Sequence, residues 1–134
     1  MRKTKKVASR VHKPDEAAML AGVAVRGIQE KKGKEIVRLD LRNIKNSVTD
    51  YFVVCHGDSS TQVAAIARGV EEDVYKTTGE LPWHKEGFEN AEWILLDFIS
   101  VVVHIFQEEK RRFYGIEKLW ADAEVAVVEA AQHN

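Results

Sequence analysis

Cys55 and His56 are adjacent, and a thiol beside an imidazole is the pairing that nucleophilic catalysis uses when a base generates a thiolate. They fall within Tyr51-Phe-Val-Val-Cys-His56, which reads as a strand. Neighbouring strand residues project to opposite faces, so the two cannot act on each other, and Cys55 is expected as a buried filler. Gly57-Asp58-Ser59-Ser60 follows at once, and a helix start offers free N–H groups and a positive dipole end to a phosphate. The segment lacks the lysine of a P-loop and the spacing of a dinucleotide fingerprint. A capping box, in which Ser59 and Gln62 reciprocally satisfy free backbone donors, accounts for the same residues. His12, His56, His84, His104 and His133 are scattered without paired ligand spacing, so no metal is expected. Asp50 and Asp97 sit at strand ends, and nothing in the sequence brings them together; a structural role suits each better. This set implies no catalytic residue and no cofactor.

The elements that position these residues follow from periodicity. Ala17, Leu20, Ala21, Ala24 and Ile28 recur at three- and four-residue steps between Asp15 and about Lys31, which predicts an amphipathic helix ended by Gly33. Glu35 to Leu41 alternates as a strand, with Ile36 and Arg38 facing opposite to Val37 and Leu39. Tyr51 to His56 is apolar on both faces and predicts a central strand. Val63, Ile66, Ala67, Val70 and Val74 mark the buried stripe of a second helix ending at Gly79. A long connection from Glu80 to Glu92 holds a short strand near His84 to Glu86. Trp93 to Phe98 and Val101 to Phe106 predict an antiparallel hairpin about Ile99-Ser100, although neither turn residue readily takes positive φ. Glu108 to about Ala123 reads as helical with a break at Gly115, leaving Phe113, Ile116, Leu119 and Trp120 available for burial. Residues 124–134 extend that segment or fray.

With 134 residues, 45% hydrophobic and 31% charged, the composition is that of one globular domain large enough to do without disulfides or a structural metal. The lone cysteine is compatible with a reducing compartment. No apolar run reaches the roughly 20 residues of a membrane span, and the start Met1 to Arg10 lacks the apolar core of a secretory signal. A soluble, cytoplasmic protein is expected. Residues 1–13 hold Arg2, Lys3, Lys5, Lys6, Arg10 and Lys13 with no acid, leaving 14 basic against 21 acidic residues, a net of −7, for the rest. A body of that sign suits a basic protein better than nucleic acid. The tail either touches RNA weakly or is simply solvated.

Ser47 to Gln62, Glu86-Gly87, Trp93 to Asp97, Val101 to Phe106 and the closing Arg112 to Ala123 together resemble the ribosomal silencing factors, the Iojap or RsfS family, over about Ala17 to Ala123. Ile99-Ser100 departs from the small turn pair usual in that family, and Gly115 replaces a better helix former. The resemblance implies a single α/β domain at residues 15–123, between a basic tail at 1–14 and an extension at 124–134. Its mixed sheet would have about five strands flanked by helices, a nucleotidyltransferase-like fold without the catalytic residues. In agreement, no Asp-x-Asp or Asp-x-Glu pair follows the Gly57 turn. The implied function is translational repression, by binding ribosomal protein fourteen of the large ribosomal subunit and blocking subunit association under nutrient limitation. A homodimer is also implied. Two alternatives stand: a residual nucleotide-binding or nucleotidyltransferase enzyme using Gly57, Ser59, Asp50 and Asp97, and a large-subunit assembly factor.

Ile94, Leu96 and Phe98 form the stronger apolar set of their strand, which places Trp93, Leu95 and Asp97 on the alternate face. Trp93, Leu95, His104 and Phe106 are expected to group there with Tyr114 and Glu117 as the partner-binding face, with Trp120 a further aromatic anchor. On this reading Glu117→Lys weakens binding while leaving the melting temperature nearly unchanged.

Overall fold

In the computed structural model, which describes residues 14–128, the first helix spans Pro14–Glu30 (α1). The expected basic tail, its RNA contact, His12 and His133 lie outside the described residues. Strands Lys34–Asp40 (β1) and Tyr51–Gly57 (β2) follow, then helix Ser60–Thr78 (α2), the short strand His84–Glu86 (β3), and the hairpin strands Trp93–Asp97 (β4) and Val101–Gln107 (β5). Two short helices, Glu108–Tyr114 (α3) and Ile116–Leu119 (α4), meet at Gly115, whose left-handed backbone (φ 54°) breaks the helical segment where the sequence suggested. The chain then forms a strand, Glu124–Val127 (β6), where the sequence pointed to helix or fraying. That sixth strand pairs with β1 and carries the sheet past Ala123.

The sheet order is β3-β4-β5-β2-β1-β6. Only β2 and β5 run parallel, as the long crossover through α2 requires; every other pair is antiparallel. Alternation then sorts the side chains. Val53, Cys55, Ile94, Leu96, Val101, Val103 and Ile105 point toward α1 and α2, meeting Leu20, Ala24, Ile28, Val63, Ile66 and Val70 in the main core. A second cluster of Val37, Leu39, Leu41, Val54, Phe106, Ile116 and Ala123 lies on the other face, which among the described residues is covered by the short α3–α4 segment and by Ile44, with Phe52, Trp93 and Trp120 packed on it. Among the described residues the sheet is thus thickly roofed on one side and thinly on the other.

The hairpin turn is strained. Ile99 adopts φ 77°, and Ser100 N–H donates to the Phe98 carbonyl (2.9 Å) across it, a γ-turn that a β-branched residue adopts only under constraint. The constraint is local: Ile99 N–H donates to Asp97 Oδ1 (2.8 Å) and the Thr49 hydroxyl donates to the Ile99 carbonyl (2.8 Å). Asp97 therefore has the structural role expected of it. Ile99→Gly, which keeps both backbone bonds and removes the misplaced Cβ, is expected to stabilise the fold by about 1 kcal/mol in urea denaturation. A lower midpoint would show that the half-buried Ile99 side chain contributes more than the turn costs.

Candidate functional site

The face under α3 and α4 is built from aromatic rings. Trp93 stacks on Phe106 (centroids 4.8 Å apart) and meets Tyr114 at 4.8 Å, while Tyr114 meets Phe113 edge-on at 5.1 Å. Phe52 lies against His104 (4.5 Å) and Trp120 (5.6 Å). Trp93 Nε1–H donates to His104 Nδ1 (3.1 Å). Because indole is only a donor, the His104 proton sits on Nε2, which is buried and without a partner. Burial holds the His104 pKa down at about 4, so the ring is neutral. Gly87 (φ 93°) brings the preceding loop against this cluster; a Cβ there would overlap the Trp93 carbonyl. The close approach leaves shallow recesses of about 190 and 220 Å³ beside Trp93, lined also by Leu95, Tyr114 and the acidic Glu86, Glu89 and Glu92.

Arg111 fixes the α3–α4 cover. Its side chain is buried, donates to Glu117 Oε2 (2.8 Å) and Oε1 (3.2 Å), and places NH1 2.9 Å from His56 Nδ1. A guanidinium has no acceptor, so His56 Nδ1 accepts and the His56 proton is on Nε2. That tautomer decides a second question. Glu35, His56 and Glu108 bring potential ligand atoms within 4.8 Å of one another, but the Nε2 lone pair a metal needs carries the proton, and Arg112 already bridges Glu35 (3.3 Å) and Glu108 (3.0 Å). The group is a hydrogen-bonded ionic cluster.

The nucleotide alternative fares similarly. Gln62 N–H donates to Ser59 Oγ (3.1 Å), as a capping box requires. The Gln62 side chain, however, reaches one residue further back than expected, accepting from Asp58 N–H (2.7 Å) and donating to the Lys32 carbonyl (3.1 Å). The helix start is filled by the protein's own amide, and Asp58 is held by Lys34 (2.9 Å). Gly57 ends β2 and Ser59 lies just past it, with Asp50 and Asp97 by the other end, about 20 Å away at 3.3 Å per residue. The four residues form no common site. Cys55 is fully buried with its pKa pushed up to about 12, so it supplies no thiolate.

Of the residues expected at a partner face, Trp93, Leu95 and Trp120 are half-buried and Tyr114 is 46% exposed. Three need correction. His104 and Phe106 are buried beneath their neighbours, because β5 is flanked on both sides, and they support the surface rather than present it. Glu117 is the counterion of a buried arginine, not a free surface carboxylate. The sequence also placed Phe113 and Leu119 in reserve for the core; they are 77% and 75% exposed, since neither short helix is long enough to wrap its apolar residues back onto the sheet. Phe52 and Arg111 were missed. Alternation along β2 could have shown Phe52, but an arginine six residues from its glutamate across a helix break leaves no periodic signal.

Residues 14–134 match the family described as "Ribosomal silencing factor during starvation". The chain is similar to a Bacillus subtilis protein named ribosomal silencing factor RsfS, 39% identical over 104 residues covering 78% of this chain and 86% of that one. It is also similar to a Mus musculus protein named for mitochondrial assembly of the ribosomal large subunit, 36% identical over 75 residues, 54% of this chain and 32% of that one. A crystal structure of a Chromobacterium violaceum protein superposes with a TM-score of 0.74 at 32% identity, covering 86% of this chain and 95% of that one.

Proposed function

The chain belongs to the ribosomal silencing factor family, and from that premise we propose that it is a non-enzymatic translational repressor. It binds ribosomal protein fourteen of the large subunit, obstructs joining of the small subunit, and lowers translation when nutrients are scarce. The observation that carries this reading is the thinly covered aromatic face, with Tyr114 exposed between Trp93 and the exposed Phe113 and with Glu86, Glu89 and Glu92 at the recesses beside Trp93. Large amphipathic rings beside carboxylates suit a basic protein surface, and affinity alone is then the mechanism. Trp93, Leu95, Tyr114 and Trp120 make the contact with Phe113 and Leu119, while Phe106, His104 and Glu117 hold them in place. The protein acts in the cytoplasm as a homodimer; no helix among the described residues is long and apolar enough to cross a membrane.

A second reading, assembly factor for the large subunit, is favoured by the name of the mouse relative. Sedimentation of the chain with purified mature large subunits through sucrose separates the two. The expected result is co-sedimentation and, after small subunits are added, fewer joined ribosomes. Binding confined to immature particles would favour assembly, and saturable binding of ATP or GTP with magnesium in calorimetry would favour the enzymatic alternative.

A further inference from the structure

His104 has one place for an added proton, and Trp93 occupies it. The indole Nε1–H donates to His104 Nδ1 (3.1 Å), so the proton of the neutral ring is on Nε2, which is buried and without a partner. A second proton can go only to the Nδ1 lone pair. The ring is then a donor at both nitrogens, and the Trp93 N–H faces another N–H instead of an acceptor. Protonation of His104 and seating of Trp93 therefore exclude each other. The packing around the ring offers a cation no compensation. β2 presents Phe52 edge-on at 4.5 Å, β4 presents Trp93 and, opposite in register, Leu95, and β5 itself places Phe106 at 6.4 Å. Glu86, Glu89 and Glu92 line the recesses beside Trp93, but burial alone sets the His104 pKa. Of the rings enclosing His104, Phe106 is fully buried, whereas Trp93 is half-buried and already touches water.

We propose that this bond is an acid-released latch on the docking face: a proton taken up at His104 Nδ1 frees the Trp93 indole from its seat on Phe106 while the fold stays intact. The chemistry belongs to the chain alone, and its consequence rests on the reading of this face as the docking surface. Linkage makes the effect reciprocal, since whatever holds Trp93 down keeps the proton off and the proton drives Trp93 away. A partner that docks on the seated indole is bound less tightly as pH falls, in proportion to the fraction of chains left closed. His56, on the adjacent strand, repeats the arrangement. Its Nδ1 accepts from Arg111 NH1 (2.9 Å), with burial, Arg111 and Arg112 opposing a further proton and Glu35 and Glu108 favouring it. There the displaced donor is Arg111, which Glu117 also holds, so acid acts on the α3–α4 cover in the same sense. The closed His104 ring has a pKa of about 4, and an uncovered one titrates near 6.5. Opening of Trp93 should therefore rise about 20-fold from pH 7 to pH 5.

Hydrogen exchange of the Trp93 indole N–H, followed by NMR on the full chain without ribosomes, reads the latch directly. After division by the exchange rate of a free indole at each pH, the wild-type signal should exchange about 20-fold faster at pH 5 than at pH 7. The backbone amides of β2 and β5, which exchange only when the sheet unfolds, should remain far slower than the indole at both pH values. His104→Asn places an amide oxygen near Nδ1 that still accepts from the indole but does not titrate, and its corrected indole exchange should be equal at the two pH values. Equal corrected rates at pH 7 and pH 5 in the wild type would overturn the proposal. Indole exchange no faster than that of the strand amides would do the same, because Trp93 would then be released only by global unfolding, and so would a 20-fold rise that survives in His104→Asn. The comparison with the strand amides needs only the wild-type chain, so it decides the matter even where the variant is unstable. Failure of subunit binding, measured separately with ribosomes, counts only against the proposed function.

Discussion

Glu117→Lys is expected to destabilise the fold by roughly 3–4 kcal/mol, because breaking a buried ion pair leaves an uncompensated charge. Arg111 is only 3% exposed and Glu117 supplies both oxygens to it, at 2.8 and 3.2 Å. The remaining neighbours, His56 Nδ1 at 2.9 Å and the Lys34 carbonyl at 3.4 Å, are neutral acceptors and cannot replace a carboxylate. A lysine at 117 adds a second cation beside the first. The sequence-level expectation of an unchanged melting temperature is therefore reversed. Glu117→Gln keeps one acceptor and should lose about half as much. Urea denaturation at neutral pH measures both, and a Glu117→Lys midpoint equal to wild type would mean that the Arg111–Glu117 pair does not hold α3 and α4 on the sheet.

Acid should weaken the protein through His104. The neutral native ring has a pKa of about 4, whereas an unfolded histidine titrates near 6.5. Between those values the unfolded state binds a proton that the native state refuses, so stability falls as pH falls through that window and is fully present above it. The expected loss from pH 7 to pH 4 is about 3 kcal/mol. Burial lowers the His56 pKa too, with the Arg111 charge adding to the effect, and this acts in the same direction. His104→Asn isolates the first contribution, since its amide oxygen stands near Nδ1 and still accepts from Trp93 Nε1–H but does not titrate. The difference in unfolding free energy between pH 7 and pH 4 should shrink by most of that amount in the variant. An equal pH dependence would place the acid sensitivity elsewhere.

Both effects arise where the sequence was hardest to read. The helices over Ala17 to Ile28 and Val63 to Val74, the central strand and the hairpin were legible because each buries a face whose period shows in the order of apolar residues. The stacking of Trp93 on Phe106 was legible for the same reason, alternation on adjacent strands. The Arg111–Glu117 pair was not, because its geometry comes from the left-handed turn at Gly115 and not from spacing. β6 was missed because Glu-Val-Ala-Val is short and suits helix or strand, and only the free edge of β1 decides between them. Ile99 broke the local rule for positive φ because Asp97 and Thr49, one of them 50 residues distant, hold its backbone.

Steric repression requires that the aromatic face dock on the large subunit and thereby prevent subunit joining. Tyr114→Ala probes it most directly, since Tyr114 is 46% exposed and lies outside both buried clusters. In a light-scattering assay of subunit reassociation, wild-type chain should suppress joining. Folded Tyr114→Ala should require roughly 5- to 150-fold more protein for the same suppression, the loss of 1–3 kcal/mol expected of a central aromatic anchor. Suppression by Tyr114→Ala at wild-type concentrations would mean that the aromatic face is not the docking surface.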